Sequence, residues 1–400
     1  MQGNCMIVQS GGPTAVINNS LIGIIDGISR TPFNGEVYGS VGGIHGLLHE
    51  EFVSLKNLSI SDRNRLRWTP GAALGTWRYK LSKGDIEEIV RILIKNDIRY
   101  FFYIGGNGSM SVAKAIHECV VDAGYNLIVI GVPKSIDNDV VGTDHSPGYG
   151  STAKFLATSV IDVDMDMGSY PESNGVTIIE TMGRNSGWLA GACSLSEDYL
   201  TGNSQLLIYI PEVAFDFAGC LDKLEKAHHE KRNTILVVAE GIRKKNGELL
   251  NRNTEYDFLG RPKLGGVSSH LKDIIKNETG IKTRYMTLSV WQRSSMTLAS
   301  KTDVEEAYHL GIHAVRLANL NHTGIMVSLK RDLHDEDYHI SYETIQLNEV
   351  AGKERFIPKE WYNTKENSMT MDFKDYAFPM IKGEIVLPME NGLPIYQRVI

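Results

Sequence analysis

The sequence predicts an α/β protein with two domains. Short apolar runs without polar alternation, such as residues 5–8 and 127–130, are typical of parallel strands buried on both faces. These runs lead into polar or glycine-rich loops, and helical periodicity follows several of the loops. The chain has 400 residues, more than one hydrophobic core usually serves. We therefore expect two substantial cores, each built on a sheet.

The charge balance limits the kinds of ligand. The formal net charge is -7 at pH 7, so no general positive field attracts nucleic acid or an anionic membrane. A phosphate group must instead be bound locally, by glycine-rich loops and a few Arg or Lys side chains. We expect no nucleic-acid partner and no membrane partner.

Cysteine spacing and hydropathy indicate an intracellular protein. The four cysteines lie far apart without CxxC spacing, so neither a zinc site nor a disulfide framework is expected. No signal-like segment opens the sequence, and no apolar run approaches about 18 residues. We expect a soluble, cytoplasmic protein.

The first strand, residues 5–8, leads into the segment 10–14 (SGGPT). Apolar residues then recur at helical spacing from Val16 to Ile25. Backbone amides of such a loop, together with the helix N-terminus, can bind an anion. Taken alone, the pattern is more often an ordinary turn. It contains neither the dinucleotide fingerprint nor a Walker A motif.

A second unit repeats this order. A small-residue loop at 71–78 ends in Arg78, and residues 85–96 form an amphipathic helix. The strand at 100–104 then leads into the segment 105–109 (GGNGS) and another helix. Because the strand, glycine loop and helix recur, phosphate binding is favoured over plain turns.

The segment with the candidate catalytic residues follows the strand at 127–130. Residues 133–139 read PKSIDND, with two carboxylates beside a Lys and a Ser. Ligands of open α/β sheets bind at the carboxyl ends of the strands. These side chains can supply a base, a cation and an orienting hydroxyl. For an isolated segment, an Asx-rich turn is the better interpretation.

The rest of the chain continues the alternation. The patterns predict helices at 152–161, 222–232, 267–277 and 299–318, and strands at 176–180, 206–210, 234–238 and 324–328. We interpret residues 162–166 (DVDMD) as a solvated acidic segment. Residues 243–266 are predicted to form a loop, and the chain after about residue 355 an irregular wrap with short strands.

Several motifs together resemble the phosphofructokinase family. They are SGGP at 10–13, GGNGS at 105–109, PKSIDND at 133–139, MGRNSGW at 182–188 and QR at 292–293. They occur in the family's order over most of the chain, and their details are most similar to the branch that contains diphosphate-dependent enzymes. The resemblance implies two doubly wound, three-layer αβα domains with the active site in the cleft between them. Residues 1–142 and about 293–342 would bind the phosphoryl donor. Residues about 143–292 and 343–400 would bind the sugar phosphate and form a C-terminal wrap.

The resemblance also implies roles for particular residues. Asp137 would take the proton from the sugar hydroxyl, and Asp139 would organise the magnesium and phosphoryl region. Asp139 and Lys134 would be catalytic as well, Ser135 and Ile136 would bind the substrate together with Asp137, and Asn107 would occupy a metal-linked position. The donor side would comprise Gly11, Gly12, Arg78, Gly108 and Ser109. The sugar phosphate would be held by Met182, Gly183, Arg184, Glu240 and Arg293. Arg184 also counts among the catalytic residues, and Arg284 would reach the sugar phosphate of a neighbouring subunit, which implies a homodimer or homotetramer.

Three departures from the family pattern bear on function. Asn107 replaces an acidic residue, so Mg2+ would bind mainly through donor phosphates and the two Asp side chains. Asn174-Gly175 and Val290 stand where the family often has a basic residue and a His. Diphosphate users commonly have an Asp at the position of Gly108 and a Lys at that of Lys134. Because this chain has only the Lys, ATP is slightly favoured over diphosphate as the donor.

The resulting hypothesis is a Mg2+-dependent 6-phosphofructokinase of glycolysis. It would convert fructose 6-phosphate into fructose 1,6-bisphosphate. One alternative is the diphosphate-dependent 1-phosphotransferase, and another is a kinase of a different sugar phosphate, such as sedoheptulose 7-phosphate. A weakly active regulatory subunit is an alternative of a different class.

Overall fold

The computed structural model describes residues 2–77, 79–170, 174–251, 255–256, 260, 262–332 and 338–399. In chain order, the strands are β1 (Asn4–Gln9), β2 (Val37–Ser40), β3 (Phe52–Ser54), β4 (Ile98–Gly105), β5 (Ile128–Pro133), β6 (Val176–Thr181), β7 (Ser204–Tyr209), β8 (Asn233–Ala239), β9 (Thr283–Thr287), β10 (Ile325–Arg331), β11 (Ile340–Gln346), β12 (Tyr362–Asn363), β13 (Ser368–Met369), β14 (Met389–Glu390) and β15 (Leu393–Pro394).

The helices alternate with these strands through most of the chain. They are α1 (Ile17–Ser29), α2 (Ile44–Leu48), α3 (Ile60–Arg67), α4 (Lys83–Lys95), α5 (Asn107–Asp122), α6 (Tyr149–Gly168), α7 (Trp188–Ala192), α8 (Phe217–His229), α9 (Val267–Thr279), α10 (Trp291–Ser294), α11 (Lys301–Asn319), α12 (Leu347–Val350) and α13 (Met371–Ala377). No helix in the described part of the chain is both long and apolar enough to cross a membrane.

The chain divides into two compact units. Unit 1 comprises Met1–Ser151, Arg293–Arg355 and Lys382–Ile400, and unit 2 comprises Thr152–Gln292 and Phe356–Ile381. Residues 143–151, 343–355 and 382–400 therefore belong to unit 1, whereas the sequence analysis assigned them to the second domain. Backbone pairing explains the difference. Asp144 N donates to Leu329 O at 2.8 Å, β11 pairs along the whole of β10, and Lys301 N donates to Gly383 O at 3.3 Å.

Unit 1 contains a seven-stranded sheet with the order β11-β10-β5-β4-β1-β2-β3. The strands from β10 to β2 pair in parallel, and β3 and β11 are antiparallel edges. The carboxyl ends of parallel strands lie at one edge of a sheet. Since β1, β4 and β5 are neighbours, the loops that follow them come together at that edge.

Both faces of this sheet are covered by helices. Cys5 and Ile7 pack on the side of α1 and α11, while Met6 and Val8 pack on the side of α4 and α5. Burial of both faces explains why the strand sequences do not alternate. Helices α1 and α11 approach closely at Gly23 and Gly311. A Cβ atom at Gly23 would lie 2.0 Å from Tyr308 O, so only glycine fits there.

Unit 2 contains a four-stranded parallel sheet with the order β7-β8-β6-β9. Every residue of β6 and β8 is buried. The loops after these two central strands therefore share the carboxyl edge. Strand β9 was not predicted from the sequence, because its residues are mostly polar and partly exposed at the sheet edge.

The acidic segment 162–166, interpreted above as solvated, is helical and only partly exposed. Helix α6 continues to Gly168, with Val163 and Met167 buried one turn apart. Asp164 is fully buried, and its carboxylate accepts hydrogen bonds from Thr201 N at 2.6 Å and from Thr201 Oγ1 at 3.2 Å. These bonds offset the cost of burying the charge.

Candidate functional site

The loops after β1 and β5 are joined by Lys134. Its side chain is buried, and Nζ donates a hydrogen bond to Gly12 O at 2.7 Å. Gly11 has a φ of 77°, and a Cβ atom there would lie 3.2 Å from Lys134 Nζ. A glycine thus permits both the left-handed backbone and the close approach of the ammonium group. The cation is held directly beside the first glycine loop.

Tyr103 connects the loops after β1 and β4. Its hydroxyl donates to Ser10 Oγ at 3.2 Å. Burial raises the pKa of Tyr103 to about 12, although hydrogen bonds with Ser10 and Ser109 act in the opposite direction. Tyr103 was not among the predicted site residues, because an aromatic residue at this point of the sequence indicates only a buried strand.

Ser135 ties together the two carboxylate residues of the PKSIDND loop. Its Oγ donates to Asp139 Oδ1 at 2.6 Å and accepts a bond from Asp137 N at 3.2 Å. Between the two Asp residues, Asn138 is buried with a φ of 53°. Asn is among the residues that best tolerate this left-handed conformation. Its Oδ1 accepts a bond from Ser146 N at 3.0 Å, which anchors the turn. Ile136 is buried beneath the loop.

Asn107 contacts the same loop from the start of α5. Its Nδ2 donates to Asp139 Oδ2 at 2.9 Å and to Asp139 O at 3.0 Å. These bonds direct the amide oxygen away from Asp139, and Oδ1 is buried without a hydrogen-bond partner among the described residues. Such an oxygen is a suitable ligand for Mg2+. Among all the residues that the structure describes, no group of three or more His, Cys, Asp or Glu is arranged to hold a metal ion.

Gly108 leaves open space at the N-terminus of α5. Apart from its two chain neighbours and the backbone of its own helix, no described atom lies within 4 Å of the position that its Cβ would occupy. Helix α5 has 16 residues, and its first turn presents the positive end of the helix dipole. Ser109 is buried in that turn, and its backbone N donates to Gly106 O at 2.9 Å. A phosphate group could approach the backbone here without meeting a side chain.

A stack of aromatic rings lies beside the first loop. His45 stacks on Trp77 with ring centroids 4.9 Å apart, and Tyr79 meets His45 edge-on at 6.3 Å. Trp77 is 51% exposed. A Cβ atom at Gly43 would lie 2.8 Å from Gln9 O and 3.3 Å from Trp77 N, so this loop contacts the end of β1. Arg78, predicted on the donor side, lies outside the described residues.

In unit 2, the loops after β6 and β8 meet through their backbones. Glu240 N donates to Thr181 O at 2.9 Å, and Gly241 N donates to Gly183 O at 3.1 Å. A Cβ atom at Gly241 would lie 1.9 Å from Arg184 O, so glycine is required there. Nη1 of Arg184 donates to Pro262 O at 2.9 Å.

Gln292 supports the same group, since its Oε1 accepts a bond from Met182 N at 2.9 Å. The structure therefore brings together four of the residues predicted to hold the sugar phosphate: Met182, Gly183, Arg184 and Glu240.

Arg284 lies apart from this group. It is on β9 opposite Thr177, near the amino end of β6, whereas Met182 follows the carboxyl end. Five residues along a strand correspond to roughly 16 Å. Arg284 Nε donates to Thr177 Oγ1 at 2.9 Å, and its guanidinium pairs with Asp166. Arg293 follows Gln292 in α10 (Trp291–Ser294), and the division between the units falls between these two residues.

Comparisons with known proteins agree with these motifs. The family model described as Phosphofructokinase matches residues 4–318. A protein of Halomonas elongata named pyrophosphate–fructose 6-phosphate 1-phosphotransferase is 37% identical, and the alignment covers 98% of this chain and 95% of that protein. A sulfofructose kinase of Alkalicoccus urumqiensis is 33% identical, with 90% of this chain and 92% of that protein covered.

A comparison with solved structures also finds a phosphofructokinase. The crystal structure of a pyrophosphate-dependent phosphofructokinase from Nitrosospira multiformis superposes with a TM-score of 0.89 at 32% identity, covering 99% of this chain and 96% of the other. Its fold class agrees with the two αβα units predicted from the sequence. The chain belongs to the phosphofructokinase family and is a phosphotransferase with an alcohol acceptor.

Proposed function

We propose that this protein transfers a phosphoryl group from diphosphate to the 1-hydroxyl of fructose 6-phosphate. One observation carries the chemistry: Ser135 and Asn107 both bind Asp139, while Ser135 also holds the backbone of Asp137. A carboxylate pair is thereby fixed beside the positive end of a helix and a buried lysine. This arrangement suits phosphoryl transfer, which depends mainly on positioning and on stabilising charge.

The choice of diphosphate revises the expectation of ATP. That expectation was based on Gly108 without an accompanying Asp. It is not supported by the relatives, because the Halomonas and Nitrosospira proteins are both named as diphosphate-dependent. The Lys134 side chain, held against Gly12 O, supports the same donor, because a buried ammonium can neutralise a compact and highly charged diphosphate.

The reaction assigns a separate task to each residue. Asp137 takes the proton from the sugar 1-hydroxyl as that oxygen bonds to phosphorus. The bond between phosphorus and the bridging oxygen of diphosphate breaks, and inorganic phosphate leaves with the bonding electron pair. Lys134 and the backbone amides at the start of α5 stabilise the charge that moves to the leaving oxygen.

Magnesium fits the oxygen atoms of this site. The free amide oxygen of Asn107 and the carboxylates of Asp137 and Asp139 are hard ligands on adjoining loops. Mg2+ typically uses one or two protein carboxylates and completes its shell with substrate phosphates and water. When bound, the ion would neutralise phosphate charge and orient the donor.

The sugar phosphate would be bound in unit 2. Arg184 is held by Pro262 O through Nη1, and a guanidinium can bind a phosphate through two parallel hydrogen bonds.

We expect Arg184→Ala to raise KM for the sugar phosphate by about 10- to 150-fold, since a charge-assisted bond contributes roughly 1.5–3 kcal/mol. Steady-state kinetics would measure this change, with Arg232→Ala as a control on the same unit. An unchanged KM would contradict the assignment.

The remote position of Arg284 supports an oligomer. Arg284 and Lys282 line a cavity of about 280 Å3 together with Gly175 and Thr177. The resemblance assigns Arg284 to the sugar phosphate of a neighbouring subunit, and its place near the amino end of β6, away from the loop that follows this strand, fits that role. We propose a homodimer or homotetramer, which light scattering coupled to gel filtration would detect.

A second candidate function is a kinase of a sulfonated sugar. Gly175 and Val290 provide no charge where the family often has a basic residue and a His. A sulfonate carries one negative charge, whereas a phosphate ester carries nearly two at pH 7, so fewer cations suffice to bind it. The sulfofructose kinase relative favours this acceptor.

The exposed Trp77 stack favours a nucleotide donor in that case, because nucleotide bases stack on aromatic rings.

One assay separates these functions. The purified chain is given Mg2+ with diphosphate or ATP, and each donor is combined with fructose 6-phosphate, sedoheptulose 7-phosphate or 6-deoxy-6-sulfofructose. The proposal predicts the highest kcat/KM for diphosphate with fructose 6-phosphate. The second candidate predicts the highest value for the sulfonated sugar, preferably with ATP. Binding without turnover in every combination would instead indicate a regulatory subunit.

A further inference from the structure

A buried group of charges lies behind the PKSIDND loop and takes no direct part in the proposed reaction. At its centre is His145, whose side chain is 1% exposed. Its Nδ1 lies 2.8 Å from Asp144 Oδ1, and its Nε2 lies 2.6 Å from Glu306 Oε2. An imidazole can donate from both nitrogens only when it is protonated, so this geometry is that of an imidazolium between two carboxylates.

The charges around His145 come from several elements. Glu306 and Asp303 are on α11, Arg331 is at the end of β10, and Tyr338 precedes β11. Tyr338 Oη donates to Glu306 Oε1 at 2.7 Å, and Arg331 Nη2 lies 3.1 Å from Asp144 Oδ1. Among the described residues, the charged and titratable groups around His145 include Asp144, Asp303, Glu306, Arg331, Tyr338, Tyr342 and Arg355. The imidazolium is therefore enclosed by compensating charges on unit 1 elements.

The segment that contains His145 is bonded directly to the PKSIDND loop. Ser135 N donates to Pro147 O at 3.2 Å, and Asn138 Oδ1 accepts from Ser146 N at 3.0 Å. Arg355 binds both segments, because its backbone N donates to Asp139 O at 2.8 Å and its guanidinium donates to Asp144 O. A displacement of residues 144–148 would therefore move Asp137 and Asp139.

Residues 144–148 are in turn anchored on α11. One anchor is the pair His145–Glu306, and the other is Asp303, which accepts from Gly148 N at 2.8 Å and from Ser151 N at 2.9 Å. The Asp303 bonds are to backbone amides and do not depend on a titratable side chain of the segment. The His145–Glu306 pair is lost if the imidazole loses its proton.

We propose that His145 is a positioning residue, which as an imidazolium clamps the segment 144–148 to α11 and so holds Asp137 and Asp139 in place for transfer. Only the expected effect of His145 on turnover rests on the proposed function. The clamp itself is a property of unit 1. Neither Asp144 nor Glu306 would contact the substrates, so the effect of His145 on the reaction passes through the loop.

The titration of His145 follows from its surroundings. Burial opposes the charged form, but the carboxylates of Glu306 and Asp144 outweigh it and raise the pKa of His145 to about 9. Because the folded-state pKa lies above the ordinary value of 6.5, the clamp contributes its full stability below about pH 6.5. That contribution is lost as the pH rises through about 9.

Hydrogen exchange measured by mass spectrometry at pH 7 tests the clamp without reference to activity. In His145→Gln, we expect amides in residues 135–148 to exchange at least about tenfold faster than in the unmodified chain, while those of β4 remain unchanged. His270→Gln, which changes an exposed His on α9, is the control and should leave both regions unchanged. Wild-type exchange rates in His145→Gln would overturn the proposal, whichever donor and acceptor the enzyme uses.

Turnover gives the second measurement. We expect His145→Gln to lower kcat by about 10- to 100-fold with little change in either KM, since small misplacement of reacting groups has costs of this order. A structural role without positioning would lower Tm and leave kcat per folded molecule unchanged, and that result would overturn the proposal.

The pH dependence of hydrogen exchange tests the role of the His145 proton even if His145→Gln does not fold. In the unmodified chain, exchange of residues 135–148, corrected for its intrinsic pH dependence, should accelerate relative to β4 between about pH 8 and 10. In Glu306→Gln, which removes one of the two carboxylates, this acceleration should begin at lower pH. An identical pH dependence in both proteins, or no acceleration in the unmodified chain, would show that the proton on His145 does not hold the loop.

Discussion

Asp137→Asn should lower kcat by a factor of about 10² to 10⁴ while KM for the sugar phosphate stays nearly unchanged. The amide has the shape of the carboxylate but cannot accept the proton of the 1-hydroxyl, and loss of a general base typically has this cost. Asp137 N would still donate to Ser135 Oγ, so the loop should keep its conformation. Binding should persist because the predicted sugar-phosphate ligands Met182, Gly183 and Arg184 are in unit 2.

The measurement is steady-state kinetics in the direction of fructose 1,6-bisphosphate formation, together with direct binding of fructose 6-phosphate by calorimetry. Asp122→Asn is a matched control, since Asp122 is exposed at the end of α5 and far along the helix from Asn107. Near-normal turnover in Asp137→Asn would refute the assigned base. A parallel loss of binding would instead indicate that the substitution had altered the site.

Gly108→Asp should lower the use of ATP relative to diphosphate by about two or more powers of ten. The new carboxylate would face the α-phosphate of a nucleotide, with both charge repulsion and steric conflict, whereas diphosphate has no such group. The fold should tolerate the change, because a Cβ at residue 108 would lie within 4 Å of no described atom outside its chain neighbours and its own helix backbone. An Asp in the first turn of a helix is also favourable for the helix dipole.

Gly84→Asp provides a matched control, since Gly84 is the second residue of α4 just as Gly108 is the second residue of α5. The experiment compares kcat/KM for both donors and the inhibition constant of ATP against diphosphate in all three proteins. The inhibition constant keeps the test informative if ATP supports little turnover. An equal loss with both donors would show that Gly108 does not select the donor.

Much of the unit 1 fold was accessible from the sequence because its strands are buried on both faces. Residues 5–8, 100–104 and 127–130 are unbroken apolar runs. The first two lie within β1 and β4, and the third overlaps β5, which begins at Ile128. The edge strands β3, β9 and β11 were not predicted, because half-exposed strands lack that pattern. The acidic segment 162–166 was misread because periodicity alone does not show that Thr201 satisfies the carboxylate of Asp164.

The motifs of the site could also be found in the sequence, since glycines and polar side chains directly after buried strands are local signals. By itself the sequence determined the α/β class, the three loops of unit 1 and the candidate residues on them. The tertiary structure alone decided which atoms meet: Lys134 with Gly12, Asn107 with Asp139, and His145 with Glu306. These partners are separated by 32 to 161 residues, and hydrogen bonds over such distances depend on strand order and packing, which no local pattern encodes.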